Sequence, residues 1–173
     1  MSEVINAIKN RRSIRKYKSD AVPAEIIEKI TEAGTYAASG MNRQETIIVA
    51  ITDKETRDKL SRDNAAVMGR EGDPFYGAPA VLVVLTKADC FTGIYDGSLV
   101  MGNLMLAAHS LGVDSCWIHR AKETFEMPQW KQFLADIGVC GEYVGVGNLI
   151  LGYRDTDYPE AATRKENRVF FVK

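Results

Sequence analysis

From Gly97 to Val113 the chain carries no charged residue, and Asp96 and Asp114 flank the run. Its length approaches that of a membrane span, but Ser98, Asn103, His109 and Ser110 interrupt it. A buried core helix accommodates such residues more readily than lipid does. The pattern predicts one helix from about Thr92 to Leu111, stopping near Gly112. Leu99, Val100, Met101, Leu104, Met105, Leu106, Ala107 and Ala108 fall on all its sides, so it needs burial on all sides. One thin domain has difficulty enclosing such a helix. Burial against a second copy of the chain answers the problem, and a central core position is the other answer.

Around that helix the chain reads as alternating elements without a repeat or a flexible linker. Val4, Ile5 and Ile8 fit a short amphipathic helix ending near Arg11 and Arg12. Pro23 opens a second helix, whose apolar face uses Ile26, Ile27, Ile30 and Ala37. Asp53 caps a polar third helix, and Pro128 opens a further one that runs to Ile137. Thr46–Ile51 and Ala80–Leu85 read as buried strands, Val113–Ile118 and Val144–Leu151 as further strands, and Val169–Val172 as a short terminal one. Strands mixed with helices in this order imply a sheet covered by helices on both faces. A length of 173 residues suits one domain, residues 1–173.

Several chemistries are excluded. The 22 basic and 23 acidic residues leave a net charge of −1, without the basic excess of a nucleic-acid-binding protein. Residues 1–12 lack the apolar core of a signal peptide. Cys90, Cys116 and Cys140 are odd in number and widely spaced, which suits free thiols in a reducing cytoplasm. Only His109 and His119 are present, so a histidine-rich metal centre is not expected. Cys116 and His119, three apart on a strand, point to opposite faces, and His109 reads as a core histidine. Gly145-Val146-Gly147-Asn148-Leu149-Ile150 lacks the third glycine of a dinucleotide fingerprint and reads as a strand. There is no Walker-type phosphate loop and no G-x-S-x-G elbow.

Three features remain. Between Lys9 and Lys18, six of ten residues are basic and none is acidic. Guanidinium groups beside a serine hydroxyl suit a phosphate, although Arg11 and Arg12 also complement a helix C-terminus. Ala38-Ser39-Gly40-Met41-Asn42-Arg43-Gln44 offers both hydrogen-bond donors and acceptors, as a heterocycle requires, or is simply a polar connection. Ser115-Cys116-Trp117-Ile118-His119-Arg120 is a strand leaving the core, able to offer backbone amides to a planar ring or to bury Trp117.

In their order and spacing these features resemble the FMN-dependent nitroreductase family over nearly the whole chain. Arg11-Arg12-Ser13-Ile14-Arg15 matches the family's R-R-S-x-R run, and Ser39 to Gln44 its S-x-x-N-x-Q loop. The uncharged helix with Asn103 and the strand at Cys116-Trp117-Ile118 follow in the family's order. The resemblance implies an α+β, three-layer α/β/α fold with a central mixed, mainly antiparallel sheet. It implies a domain-swapped homodimer whose terminal strand crosses to the partner. It implies FMN as cofactor, NADH or NADPH as co-substrate, and ping-pong hydride transfer through flavin N5 to a nitroaromatic, quinone or activated alkene. A non-catalytic flavin sensor or FMN store on the same fold is the alternative. Arg11, Arg12, Ser13 and Arg15 would come from one chain, with Arg11 and Ser13 at the phosphate and Arg15 toward the flavin pyrimidine. Ser39, Gly40, Met41, Asn42 and Gln44 would come from the partner. Trp117, Ile118, His119 and Arg120 would lie against the ring, Arg164 and its neighbour Lys165 near the phosphate, and His119 and Arg120 near the substrate. The flavin carries the chemistry, so no catalytic side chain is expected. No nucleic-acid, membrane or metal partner is implied. Ala38 and Glu45 replace frequent prolines of the loop, and His119-Arg120 stands where many members carry an acidic or small pair.

Overall fold

The structure, a computed structural model, describes residues 2–173. The elements run α1 (Glu3–Asn10), α2 (Ala24–Thr35), β1 (Thr46–Ile51), α3 (Lys54–Val67), β2 (Ala80–Lys87), α4 (Gly93–Ser110), β3 (Asp114–Ile118), α5 (Ala121–Phe125), α6 (Pro128–Asp136) and β4 (Tyr143–Gly152). The four strands form one sheet in the order β1-β2-β4-β3, antiparallel at each pairing. A parallel component is confined to the bridge between Ser13 and Ser115.

Alternation along β2 and β4 separates two cores. Val81, Val83, Leu85 and Ile150 pack with Leu60 of α3, Phe125 of α5 and Trp130 and Leu134 of α6. Ala80, Leu82, Val84, Leu149 and Leu151 pack with Ile27 and Ile30 of α2 and Val100, Met101, Leu104 and Ala108 of α4. Helices therefore cover both faces, giving the three layers. Asp53 caps α3 as the sequence predicts, accepting a hydrogen bond from Thr56 N at 2.8 Å. Between α3 and β2, Asp73 gathers Arg57 Nη2 at 2.8 Å, Phe75 N at 2.8 Å and Gly77 N at 2.7 Å. Burial opposes the charge on Asp73, but hydrogen bonds from Ser61, Arg57, Gly77 and Phe75 outweigh it and hold the carboxyl below its usual range.

Several expectations are corrected. β1 is an edge strand: Val49 and Ile51 are buried, whereas Ala50 is exposed. Ala37 lies beyond the end of α2, and Gly34 makes the close approach instead; a Cβ there would lie 2.6 Å from Leu104 Cδ2. Five-residue α5 is too short for its apolar period to show in sequence. Val169–Val172 forms no strand on its own chain, because β-branched and aromatic residues need a neighbouring ladder. Those four residues are 71%, 80%, 82% and 100% exposed. His109 is half-buried, not core, and stacks on Tyr158 with ring centroids 6.3 Å apart.

α4 is buried on one side only. Val100, Met101, Leu104 and Ala108 face the sheet, while Ile94, Tyr95 and Leu99 are 49%, 74% and 51% exposed. Its apolar circumference is not satisfied within one chain. Among the described residues no helix is long and apolar enough to cross a membrane.

Candidate functional site

After α1 the chain extends and lies against the start of β3. Ile14 N donates to Ser115 O at 3.1 Å, and Lys18 N to Tyr153 O at 2.8 Å. Ile14 is fully buried, and Tyr17, buried as well, donates its hydroxyl to Ile14 O at 2.9 Å. Burial, and then the neighbouring Cys116 and Asp114, push the Tyr17 phenol up, so it remains a donor at working pH. These fastenings present Arg11, Arg12 and Ser13 half-buried at one end of β3, with Arg15 exposed.

The two arginines differ. Arg12 Nη1 donates to Lys9 O and Arg11 O, both at 2.8 Å, capping the end of α1. Arg11 Nη1 and Arg12 Nε are buried and have no partner among the described residues. An unmet buried guanidinium donor is unfavourable unless an acceptor arrives. Tyr158, which sequence reasoning missed, ties the segment to the chain after β4. Its hydroxyl donates to Asn10 O at 2.9 Å and accepts from Arg12 N at 3.1 Å. Arg154 lies over the Tyr158 ring at 5.0 Å and pairs with the buried Asp114 at 3.2 Å. No local signal marks Tyr158, since its partners lie 146 and 148 residues away.

The loop from Ser39 to Gln44 is satisfied by itself and by α4. Gly40 N donates to Asp96 Oδ1 at 3.1 Å, and Thr92 Oγ1 to Asp96 Oδ2 at 2.9 Å. Gln44 N donates to Ser39 Oγ at 3.1 Å, and Gln44 Nε2 to Asn42 Oδ1 at 3.0 Å. Met41, Asn42 and Gln44 adopt left-handed backbone at φ 54°, 54° and 55°. Gly40 is required by packing, because a Cβ there would lie 2.6 Å from Thr92 Oγ1. Buried Asp96, read in the sequence only as a flank of the uncharged run, organises this loop.

At the other end of β3 the chain turns sharply through His119 and Arg120. Trp117 packs toward α4, and a Cβ at Gly147 would lie 2.4 Å from its indole nitrogen. A Cβ at Gly145 would lie 2.3 Å from the Ala121 backbone, so both glycines of the rejected fingerprint serve close packing. His119 is exposed, and its carbonyl accepts from Asn64 Nδ2 at 2.9 Å and Asn148 Nδ2 at 3.5 Å. Arg120 is left-handed at φ 71°, with its carbonyl accepting from Thr124 N at 3.1 Å and Thr124 Oγ1 at 2.8 Å. Asn64, Asn148 and Thr124 are fully buried. A polar Asn148 inside the apolar strand was the visible signal for this clamp.

β3 thus joins two of the three predicted features, the arginine segment at its start and the turn at its end. The loop's hydrogen bonds go to α4, so one chain does not join it to the other two through its own contacts. Arg164 and Lys165 lie on exposed irregular chain after β4, with no hydrogen bond to the arginine segment among the described residues.

The nitroreductase family model matches residues 8–73 and 62–135. The fold superposes on the crystal structure of a nitroreductase with bound FMN from Bacteroides fragilis, with a TM-score of 0.91, 27% identity and full coverage of both chains. An Archaeoglobus fulgidus protein, provisionally named NADH dehydrogenase/NAD(P)H nitroreductase, is 30% identical over 95% of this chain and 94% of its own. A Methanothermobacter thermautotrophicus protein of the same provisional name is 32% identical over 66% of this chain, a match that spans 60% of its own length.

Proposed function

The chain belongs to the nitroreductase family, and on that premise we propose that two copies form an FMN-dependent NAD(P)H oxidoreductase acting on a small-molecule electron acceptor. The observation that carries this reading is the pair of buried, unpartnered guanidinium atoms on Arg11 and Arg12 beside Ser13. A phosphate monoester supplies the acceptors they lack, so the residues present fit the cofactor. Arg11 and Ser13 would hold the phosphate together with Arg164 and Lys165, and Arg12, whose Nη1 caps α1, would add its Nε. Arg15 would meet the pyrimidine edge. Ser39, Gly40, Met41, Asn42 and Gln44 would come from the partner, and residues from Trp117 to Arg120 would lie along the ring. When bound, FMN supplies hydride acceptance and donation, which no side chain here performs.

The chain's own residues do the rest. Arg15 offers a cation where negative charge develops. Asn64, Asn148 and Thr124 hold the two carbonyls of the turn, fixing its amides before a ligand arrives. Nicotinamide and acceptor use one face in alternation, which gives ping-pong kinetics. A nitroaromatic, a quinone or an activated alkene would serve as acceptor.

The exposed side of α4 supports assembly as a homodimer. So does the exposed apolar segment Val169–Val172. The free edge of β1, beside Phe133, Ile137 and Tyr143, offers a partner's terminal segment both a ladder and an apolar groove. Residues 1–173 act as one domain, and the unpaired cysteines suit the cytoplasm.

Purified protein is expected to be yellow, dimeric in sedimentation, and bleached by NADH or NADPH without oxygen. Colourless protein that takes up no added FMN overturns the proposal. Flavin that is bound but never turned over with any acceptor assigns the chain to a sensor or store.

A further inference from the structure

Beyond the turn at His119 and Arg120 lies a cavity of about 470 Å³, bounded by the end of β2, the start of α4 and the start of α5. The size suits a small aromatic or acyl molecule. Its walls are mainly apolar, with Ile94 and Val146 among them, and a few polar groups converge.

Thr86 lines this cavity although the residue is only 2% exposed, and its hydroxyl is buried without a partner among the described residues. A buried hydroxyl in that state is unfavourable, and valine would fill the same space. Arg120 and Lys122 also line it, and neither forms an ion pair among the described residues. Arg120 holds a left-handed backbone, which places strain at this wall. Lys87 is neutralised by Glu45 at 2.7 Å, and Glu123 is the one unpaired acid on the wall. Asp96, the acid in the first turn of α4, does not line this cavity; it lines the cavity beside Ser39 and Gln44, held there by Gly40 N and Thr92 Oγ1. The balance of free groups is positive, with one buried hydroxyl awaiting a partner.

We propose that this cavity receives the anionic group of the electron acceptor, so that aromatic acceptors bearing a carboxylate are preferred over neutral ones of the same shape. The inference rests on the proposed function, which sets the reacting ring against the same turn. The extra phosphate of NADPH carries the same chemistry, and the test separates the two sources.

FMN-loaded protein is titrated by calorimetry with benzoate and with benzamide. Benzoate is expected to bind about tenfold more tightly, with the advantage falling to about twofold in Lys122→Gln, in Thr86→Val and at high salt. The ratio of kcat/KM for 4-nitrobenzoate over 4-nitrobenzamide is expected to fall in parallel, while the NADPH-to-NADH ratio stays constant. Equal affinity for benzoate and benzamide overturns the proposal. So does a benzoate preference that survives both substitutions, or one that stays intact while the NADPH preference collapses. Cofactor uptake is read separately from flavin absorbance: protein that takes up no FMN fails the proposed function, whereas flavin-loaded protein indifferent to the benzoate charge fails this inference alone.

Discussion

The arginine segment at residues 11–15 and the loop at residues 39–44 both border the proposed site, and neither carries an α-helix or a strand of the sheet, the loop holding only a single 3-10 turn at Gly40–Asn42. The first has its backbone tied down by Ser115 and Tyr158, yet leaves guanidinium atoms buried and unmet. The second pairs its side chains among themselves, hangs on Asp96, and stores its cost in three left-handed residues. One segment is relaxed in backbone and unsatisfied in side chain. The other is strained in backbone and satisfied in side chain. The contrast teaches where each reacts to a ligand: the arginine segment gains new hydrogen bonds, whereas the loop supplies a shape already made.

The largest effect on stability is expected from removing the loop's anchor. Asp96→Ala leaves Gly40 N and Thr92 Oγ1, both half-buried, without the carboxylate that holds them, and should lower stability by about 2 kcal/mol in urea unfolding. A loss under about 1 kcal/mol would mean that the loop holds its shape unaided. Next is Arg11→Ala. It deletes a charge-assisted phosphate contact, worth roughly 2 kcal/mol, so FMN affinity should fall about thirtyfold in fluorescence titration. Its melting temperature should hardly move, because the lost group has an unmet buried donor. A large melting shift with unchanged FMN affinity would reverse the roles assigned to the two segments.

Much of this was legible before the structure. The strands at Thr46 and Ala80 and the uncharged helix follow from apolar runs, and the Arg11–Arg15 cluster stands out by charge alone. What escaped is instructive. Asp96, Asn64 and Tyr158 each act on a residue at least 55 positions away in sequence, so no local pattern carries them, whereas Asn148 was visible only as a polar residue inside an apolar strand. Val169–Val172 has strand composition and no strand, because a ladder needs an edge and this segment pairs with neither edge of its own sheet. α4 carried the opposite lesson. Its apolar residues lie on every side, but one chain buries only half of them.

Tyr158→Phe sharpens the comparison at smaller scale. The ring and its stack with His109 remain, while the hydrogen bonds to Asn10 O and Arg12 N disappear. A loss of about 1 kcal/mol is expected, divided between stability and a threefold weakening of FMN binding. If FMN affinity is untouched, the arginine segment keeps its place through Ser115 alone.

The smallest effect runs in the opposite direction. Met41 is 69% exposed and left-handed, so its side chain gains little by burial in one chain while its backbone bears strain. Met41→Gly should relieve that strain at some cost in unfolded-chain entropy, giving a net stabilisation of about 0.5 kcal/mol in the monomeric state. The same change should weaken dimerisation, if Met41 gains its packing only from the partner. Sedimentation against concentration reads the second effect, and urea unfolding of dilute protein the first. Destabilisation in both would show that the loop's left-handed backbone is held by Met41 itself. The strain would then be part of the loop's own packing and not a shape kept for the partner's ligand.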